Sequence, residues 1–182
     1  MRPDHALSPS IRLLLAATLL AAASLVTLWG FAITLYPKLP ALIPLHFNGR
    51  GEPDRWEATT PMAWYQLPGI GTGVIVLMLG AALFCRWAAV RKPQLVNIPF
   101  KDRFLAASPD RRAWVIEPIA AALAVDSVAI TALFVFILHG TERVANGAWA
   151  VLSPAGFVLL IPFLVMAPLA GTAWTSWRSW KA

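Results

Sequence analysis

From Leu13 to Tyr36 the chain carries no charged side chain, and three later stretches are nearly as apolar. A bilayer core about 30 Å thick is crossed by about 20 apolar residues in a helix. In hydrocarbon every backbone N–H and C=O must be paired within the protein, which leaves helices and closed barrels as the only spanning forms. Sustained period-two alternation is missing and Ala and Leu dominate, so the helix is the form expected. The expected fold is an all-α membrane protein with four transmembrane helices at 13–36, 67–90, 118–139 and 148–177. Around them lie an N-terminus of residues 1–12, a long loop 37–66, a basic segment 91–117, a turn 140–147 and a tail 178–182.

Composition closes the other routes. Hydrophobic residues make up 58% and charged residues 13%, whereas a soluble domain carries about a quarter charged residues. Disorder needs a polar, charged chain and is excluded by the same figures. One cysteine, Cys85, cannot build a disulfide scaffold. The first apolar stretch runs past the small residues Ala21, Ala22 and Ala23 to Tyr36, beyond the 7 to 15 residues of a signal-peptide core, so it is expected to stay as an anchor.

Charge sets the expected orientation. The two tails, Arg12, Arg86 and the 91–117 segment together hold eleven of the fifteen lysines and arginines. Lys38, Arg50, Arg55 and Arg143 are the other four, and basic residues resist translocation. Both termini are therefore expected in the cytoplasm and the 37–66 loop outside. Trp64, Tyr65, Trp87, Trp114, Trp149, Trp174, Trp177 and Trp180 fall near span ends, as an interfacial aromatic belt would. The basic 91–117 segment suits anionic inner-leaflet lipid. No stacking platform or nucleic-acid motif accompanies it, so nucleic acid is not an expected partner.

The 37–66 loop is the richest segment. Pro37, Pro40, Pro44 and Pro53 forbid a continuous helix, and Ile43 to Phe47 suits a short extended piece. Asn48, Gly49 and Gly51 offer positive-φ positions for a tight turn. His46, Asn48, Gly51, Glu52, Asp54 and Trp56 should gather there as a ligand-binding or structural cluster. Three readings stand side by side. His46 with Glu52 and Asp54 has the donor types for zinc or manganese, although the spacing matches no known ligand motif. Paired groups facing a pocket would suit acid–base chemistry. Alternatively, the polar groups bond the loop's own backbone and the helix ends.

Leu39-Pro40, Ile43-Pro44, His46-Phe47-Asn48, Gly51-Glu52-Pro53-Asp54 and Trp56 together resemble the signature of a bacterial family of small membrane proteins of unknown function. That family includes the immunity protein of the sporulation-delaying toxin system. Asn97, Pro99 and Lys101, with Leu105 after them, resemble its cytoplasmic Asn-x-Pro-x-Lys segment. The resemblance spans about residues 20 to 110. It implies a multi-helix protein of the bacterial inner membrane and, in one branch, immunity to a secreted peptide.

Elsewhere, Gly69-x-x-x-Gly73 and Ala167-x-x-x-Gly171 suggest close helix contacts, and Pro162 and Pro168 suggest kinks. Asp126 lies well inside the third span, where it should face the bundle and either keep its proton or find a donor, with Ser127 and Thr131 at hand. The leading expectation is a non-catalytic protein that binds or senses an external ligand or peptide, with no cofactor and no metal, and compatible with a homo-oligomer. The alternatives are a small ion-coupled transporter using Asp126 and a metalloenzyme centred on His46.

Overall fold

A computed structural model describes residues 9–181, so Arg2 and the rest of residues 1–8, with Ala182, lie outside the described part. The elements are α1 (Pro9–Leu35), a 3-10 turn (Tyr36–Lys38), β1 (Leu42–Phe47), β2 (Pro53–Ala58) and α2 (Pro61–Arg91). A second 3-10 turn (Pro93–Leu95), α3 (Lys101–Ala106), α4 (Pro109–Ala145) and α5 (Ala155–Trp180) follow. α1, α2, α4 and α5 are each long and apolar enough to cross a membrane, so the protein is a multi-pass, all-α membrane protein. Four crossings bring the described chain ends to one end of the bundle, the terminal end. The β1–β2 hairpin sits at the other.

Local chemistry sets the helix starts. Pro61 and Pro109 occupy first-turn positions where the missing N–H costs nothing. Thr60 Oγ1 accepts from Ala63 N at 3.1 Å, and Ser108 Oγ accepts from Arg111 N at 3.3 Å, so both starts are capped. Inside α2, Pro68 removes a donor. Its carbonyl receives the Thr72 hydroxyl at 2.8 Å, and Thr72 Oγ1 in turn accepts from Trp29 Nε1 at 2.8 Å, tying α2 to α1.

α4 is the central helix, packed against α1, α2 and α5, whereas α2 and α5 make at most marginal contact with one another. The main core joins Leu28, Ala32, Ile43, Trp64, Ile75, Ile130 and Leu138. A second core at the terminal end joins Ala89, Phe104, Val115 and Ile116. α5 leans on α4 and leaves most of its apolar surface to the bilayer.

Several expectations need correction. The extended piece expected at Ile43 to Phe47 is β1, but it does not stand alone: β2 pairs with it antiparallel, where no sheet was expected. The 91–117 segment is largely helical, because α3 and the first turns of α4 fold back on the second core. α4 continues to Ala145, so residues 140–145 are helix rather than turn, and α5 begins at Ala155 rather than 148. α4 persists past the apolar limit because its last turns are packed and capped: Thr141 and Val144 are buried, and Asn146 N donates to Glu142 O at 3.0 Å.

Trp64 is 2% exposed and donates Nε1–H to Ala32 O at 2.9 Å, so it is a core residue and not part of a belt. Trp114 is half-buried, with the Arg111 and Arg178 guanidinium carbons 4.0 and 4.4 Å from its ring centroid. Gly69 and Gly73 face open space. The close approach is at Gly71, where a Cβ would lie 2.9 Å from Leu28 and 3.2 Å from Phe134. Gly171 does meet α4 closely, since a Cβ there would lie 2.7 Å from the Ala122 Cβ.

Candidate functional site

The hairpin is held by irregularities as much as by its ladder. Pro44 faces Trp56, His46 faces Arg55 and Phe47 faces Pro53, so Leu45 on β1 and Asp54 on β2 are extra residues. Such bulges twist a strand and re-aim its side chains. Here the bulge at Asp54 brings Oδ1 to 2.6 Å from His46 Nδ1. Ile43 is fully buried and Leu45 packs against the main core, which seats the hairpin on the helix ends.

The turn closes through Asn48. Its Oδ1 accepts from Arg50 N at 2.8 Å and Glu52 N at 3.1 Å, and its Nδ2 donates to Glu52 Oε2 at 2.7 Å. Asn48 N also donates to Glu52 O at 2.9 Å. This is the self-bonding that Asn supplies in tight turns. Of the three positive-φ positions expected, only Gly51 has one, at φ 79°. Asn48 and Gly49 do not need it, because the side-chain bonds of Asn48 set the reversal.

Gly51 also meets a distant segment. Its carbonyl accepts from Leu152 N at 2.8 Å, so the hairpin tip is fastened to the α4–α5 connection. Leu152 is buried and reaches the space over Gly140, where a Cβ would meet its Cδ1 at 2.1 Å. A second tie runs from Asn146 Nδ2 to Lys38 O at 3.2 Å. Sequence reading missed Gly140, Asn146 and Leu152. A glycine inside α4 was the one visible signal, and it does not name its partner.

Beneath the hairpin lies an apolar cavity of about 340 Å³. Ile43, Leu45 and Phe47 roof it, Leu67 and Ile70 of α2 and Ile137 of α4 wall it, and Phe157 of α5 closes one side. His46, Arg55, Gln66 and Thr141 are its polar groups. His46 and Asp54 are 62% and 44% exposed, so their pair is worth only about 0 to 1 kcal/mol and serves to orient the imidazole. Arg55 Nε lies 3.6 Å from Glu57 Oε1.

The expected cluster is thus brought together in two parts. His46 joins Asp54 at the cavity, whereas Asn48, Gly51 and Glu52 build the turn. Trp56 is exposed on β2. Of the three donors a metal would need, Glu52 is turned to Asn48, and no three His, Cys, Asp or Glu side chains gather for a metal among the described residues.

Asn97, Pro99 and Lys101 lie at the terminal end, away from the hairpin. Pro99 O accepts the Ser179 hydroxyl at 2.8 Å, and Lys101 Nζ donates to Gln94 O at 3.0 Å. Asn97 is exposed, and Phe100 opens α3 at φ 57°. Pro99 thus ties the connector to α5, and Lys101 ties the connector to itself. Arg112 bonds Ala89 O at 2.9 Å and Ala107 O at 2.9 Å, so part of the basic segment is occupied by backbone carbonyls.

A family model described as a domain of unknown function (DUF1648) matches residues 13–72, the part that includes α1 from Leu13, the hairpin and the first turns of α2. No curated protein and no solved structure matches the chain.

Proposed function

We propose that this chain is a non-catalytic binding protein of a bacterial cell membrane. In this reading the hairpin faces outside and both termini lie in the cytoplasm. The ligand is an external amphipathic peptide whose apolar side chains enter the cavity under the hairpin, in the manner of an immunity protein. The cavity is the observation that carries the reading. Its 340 Å³ falls in the range of about 300 to 1,000 Å³ typical of ligand sites, with apolar walls and a few polar groups to fix orientation. Asn48 and Glu52 are engaged in the turn itself, which suits a rigid binding element better than acid–base machinery. The resemblance is to a family one branch of which confers immunity to a secreted peptide, which suggests the ligand class, and the eleven-to-four division of basic residues supports the orientation.

Survival of cells exposed to secreted amphipathic peptides tests this. Cells expressing the protein should tolerate about tenfold more of a cognate peptide, the equivalent of about 1.4 kcal/mol. Leu67→Trp, which fills the cavity, should remove that margin at equal protein abundance. Equal protection by a folded Leu67→Trp variant would show that the cavity is not the site.

A further inference from the structure

Asp126 is sealed in the bundle at 0% exposure, whereas the charge at the terminal end lies open, and it is not spread evenly. Arg112 is spent on the carbonyls of Ala89 and Ala107, Lys101 on that of Gln94, and Arg178 on Glu117 and the carbonyl of Trp114. Arg103, Arg111 and Lys181 are placed differently. Arg103 Nη1 donates to Trp180 O, and Arg111 Nη2 donates to Lys181 O at 3.0 Å. These carbonyls are the orphan acceptors of a helix end, and they fix where both guanidinium groups sit. Each guanidinium uses one N–H there and keeps its other donors. Lys181 Nζ lies 4.3 Å from the Trp177 ring centroid. Among the described residues no carboxylate forms an ion pair with any of the three.

Arg103 and Lys181 line an open groove of about 420 Å³ between α3 and the end of α5, with Ala106 and Trp180 as its other walls. Arg111 stands behind Lys181. The depth of the groove is set by α5, which has no charged residue from Ala155 to Trp177 and so carries the groove at headgroup level. From the groove towards the bilayer centre, Trp180, Trp177, Ala173, Leu169 and Met166 follow at helical spacing, and all are exposed. Capping of α5 accounts for Arg103 and Arg111 but not for Lys181, whose ammonium meets only a tryptophan face among the described residues. A cationic groove without a counterion, above an uncovered apolar stripe, matches the two halves of an anionic phospholipid. The guanidinium fork suits a phosphate, and the stripe suits acyl chains.

We propose that this groove is a site for one anionic phospholipid. Its phosphate sits between Arg103 and Lys181, with Arg111 adding charge from behind, and its acyl chains run along the exposed stripe of α5. The site concentrates in one place the attraction that the basic segment would otherwise spread over the surface. It is independent of the peptide reading of the hairpin and holds whichever leaflet the terminal end meets.

The test uses the full chain in dodecyl maltoside, with lipid binding followed by native mass spectrometry. Phosphatidylglycerol should fill one saturable site about tenfold more tightly than phosphatidylcholine of the same chains. Arg103→Gln combined with Lys181→Gln should weaken it about tenfold or more. Arg91→Gln combined with Lys92→Gln removes the same charge outside the groove and should change it by no more than about twofold. Ala106→Glu brings a carboxylate to the exposed groove wall and leaves both arginine bonds in place, so it should weaken binding as strongly even if the first pair prevents folding. Inorganic phosphate in excess should leave the lipid bound, because it has nothing for the apolar stripe. Equal loss in the two charge-removal pairs would reduce the effect to diffuse attraction and overturn the site. Equal affinity for the two lipids, or full binding in folded Ala106→Glu, would do the same. Displacement by inorganic phosphate would refute the lipid as occupant.

Discussion

Adding one methyl group at Gly51 should release the hairpin without unfolding the bundle. A Cβ there would stand 1.9 Å from Leu152 O and 3.0 Å from Leu152 C, both backbone atoms that cannot swing aside as a side-chain tip can. The φ of 79° adds a penalty of about 1 to 2 kcal/mol for an L-residue. Separation of the two segments also forfeits the bond from Leu152 N to Gly51 O, worth about 0.5 to 1.5 kcal/mol net. Together these give about 1.5 to 3.5 kcal/mol against the docked hairpin, or a ten- to several-hundred-fold rise in its open population. Hydrogen exchange at the Leu152 amide reads that population directly, because this N–H is covered by Gly51 alone in the connection. Gly51→Ala should accelerate exchange by that factor. Amides in the middle of α2 and α4 should hardly change, since the main core remains. Gly49→Ala is the control: its Cβ meets nothing within 4 Å and its φ is not positive, so it should stay within about 0.5 kcal/mol of the parent. Equal exchange at Leu152 in the two variants would refute the argument that the hairpin is fixed by this contact.

Three further outcomes follow. A reporter active only outside the cytoplasm should work when fused after Trp56 and fail after Arg112 or Ala182; activity at both Trp56 and Arg112 would end the proposed orientation. Asn48→Ala removes the acceptor for Arg50 N and Glu52 N and should speed limited proteolysis between Pro44 and Trp56, at a local cost of about 1 to 2 kcal/mol. Arg178 donates to Glu117 Oε2 at 3.2 Å and stacks over Trp114, so Arg178→Met should lower the thermal midpoint in detergent by the equivalent of about 1 to 3 kcal/mol. Arg178→Lys should recover only part of it, because an ammonium cannot reproduce the planar stacking.

What the sequence made legible, and what it hid, divides along the range of the interactions. The four crossings follow from length and hydropathy, which act residue by residue, and so does the burial of Asp126, since an acid in hydrocarbon has to face protein. The turn at Asn48 and Gly51 was readable because its side-chain bonds close within four residues. Of the strands, the extended piece at Ile43 to Phe47 was readable and is β1, whereas β2 and the pairing were not, because Pro44 and two bulges erase the alternation that signals a sheet. The functional geometry lies at longer range still. Gly51 meets Leu152 a hundred residues later, and Trp64 turns from an interfacial position into the core because Ala32 on another helix offers it a carbonyl. Composition cannot register such pairings; they exist only once α4 has brought α1, α2 and α5 into place. The same logic explains why the family match over residues 13–72 contains the roof of the cavity but only part of its walls. Ile137, Thr141, Leu152 and Phe157 come from the remainder of the chain. The hairpin is seated by Ile43, Leu45 and Gly51 rather than by these wall residues, so exchanging Ile137, Thr141 and Phe157 should change which ligand the proposed site holds while leaving the hairpin docked.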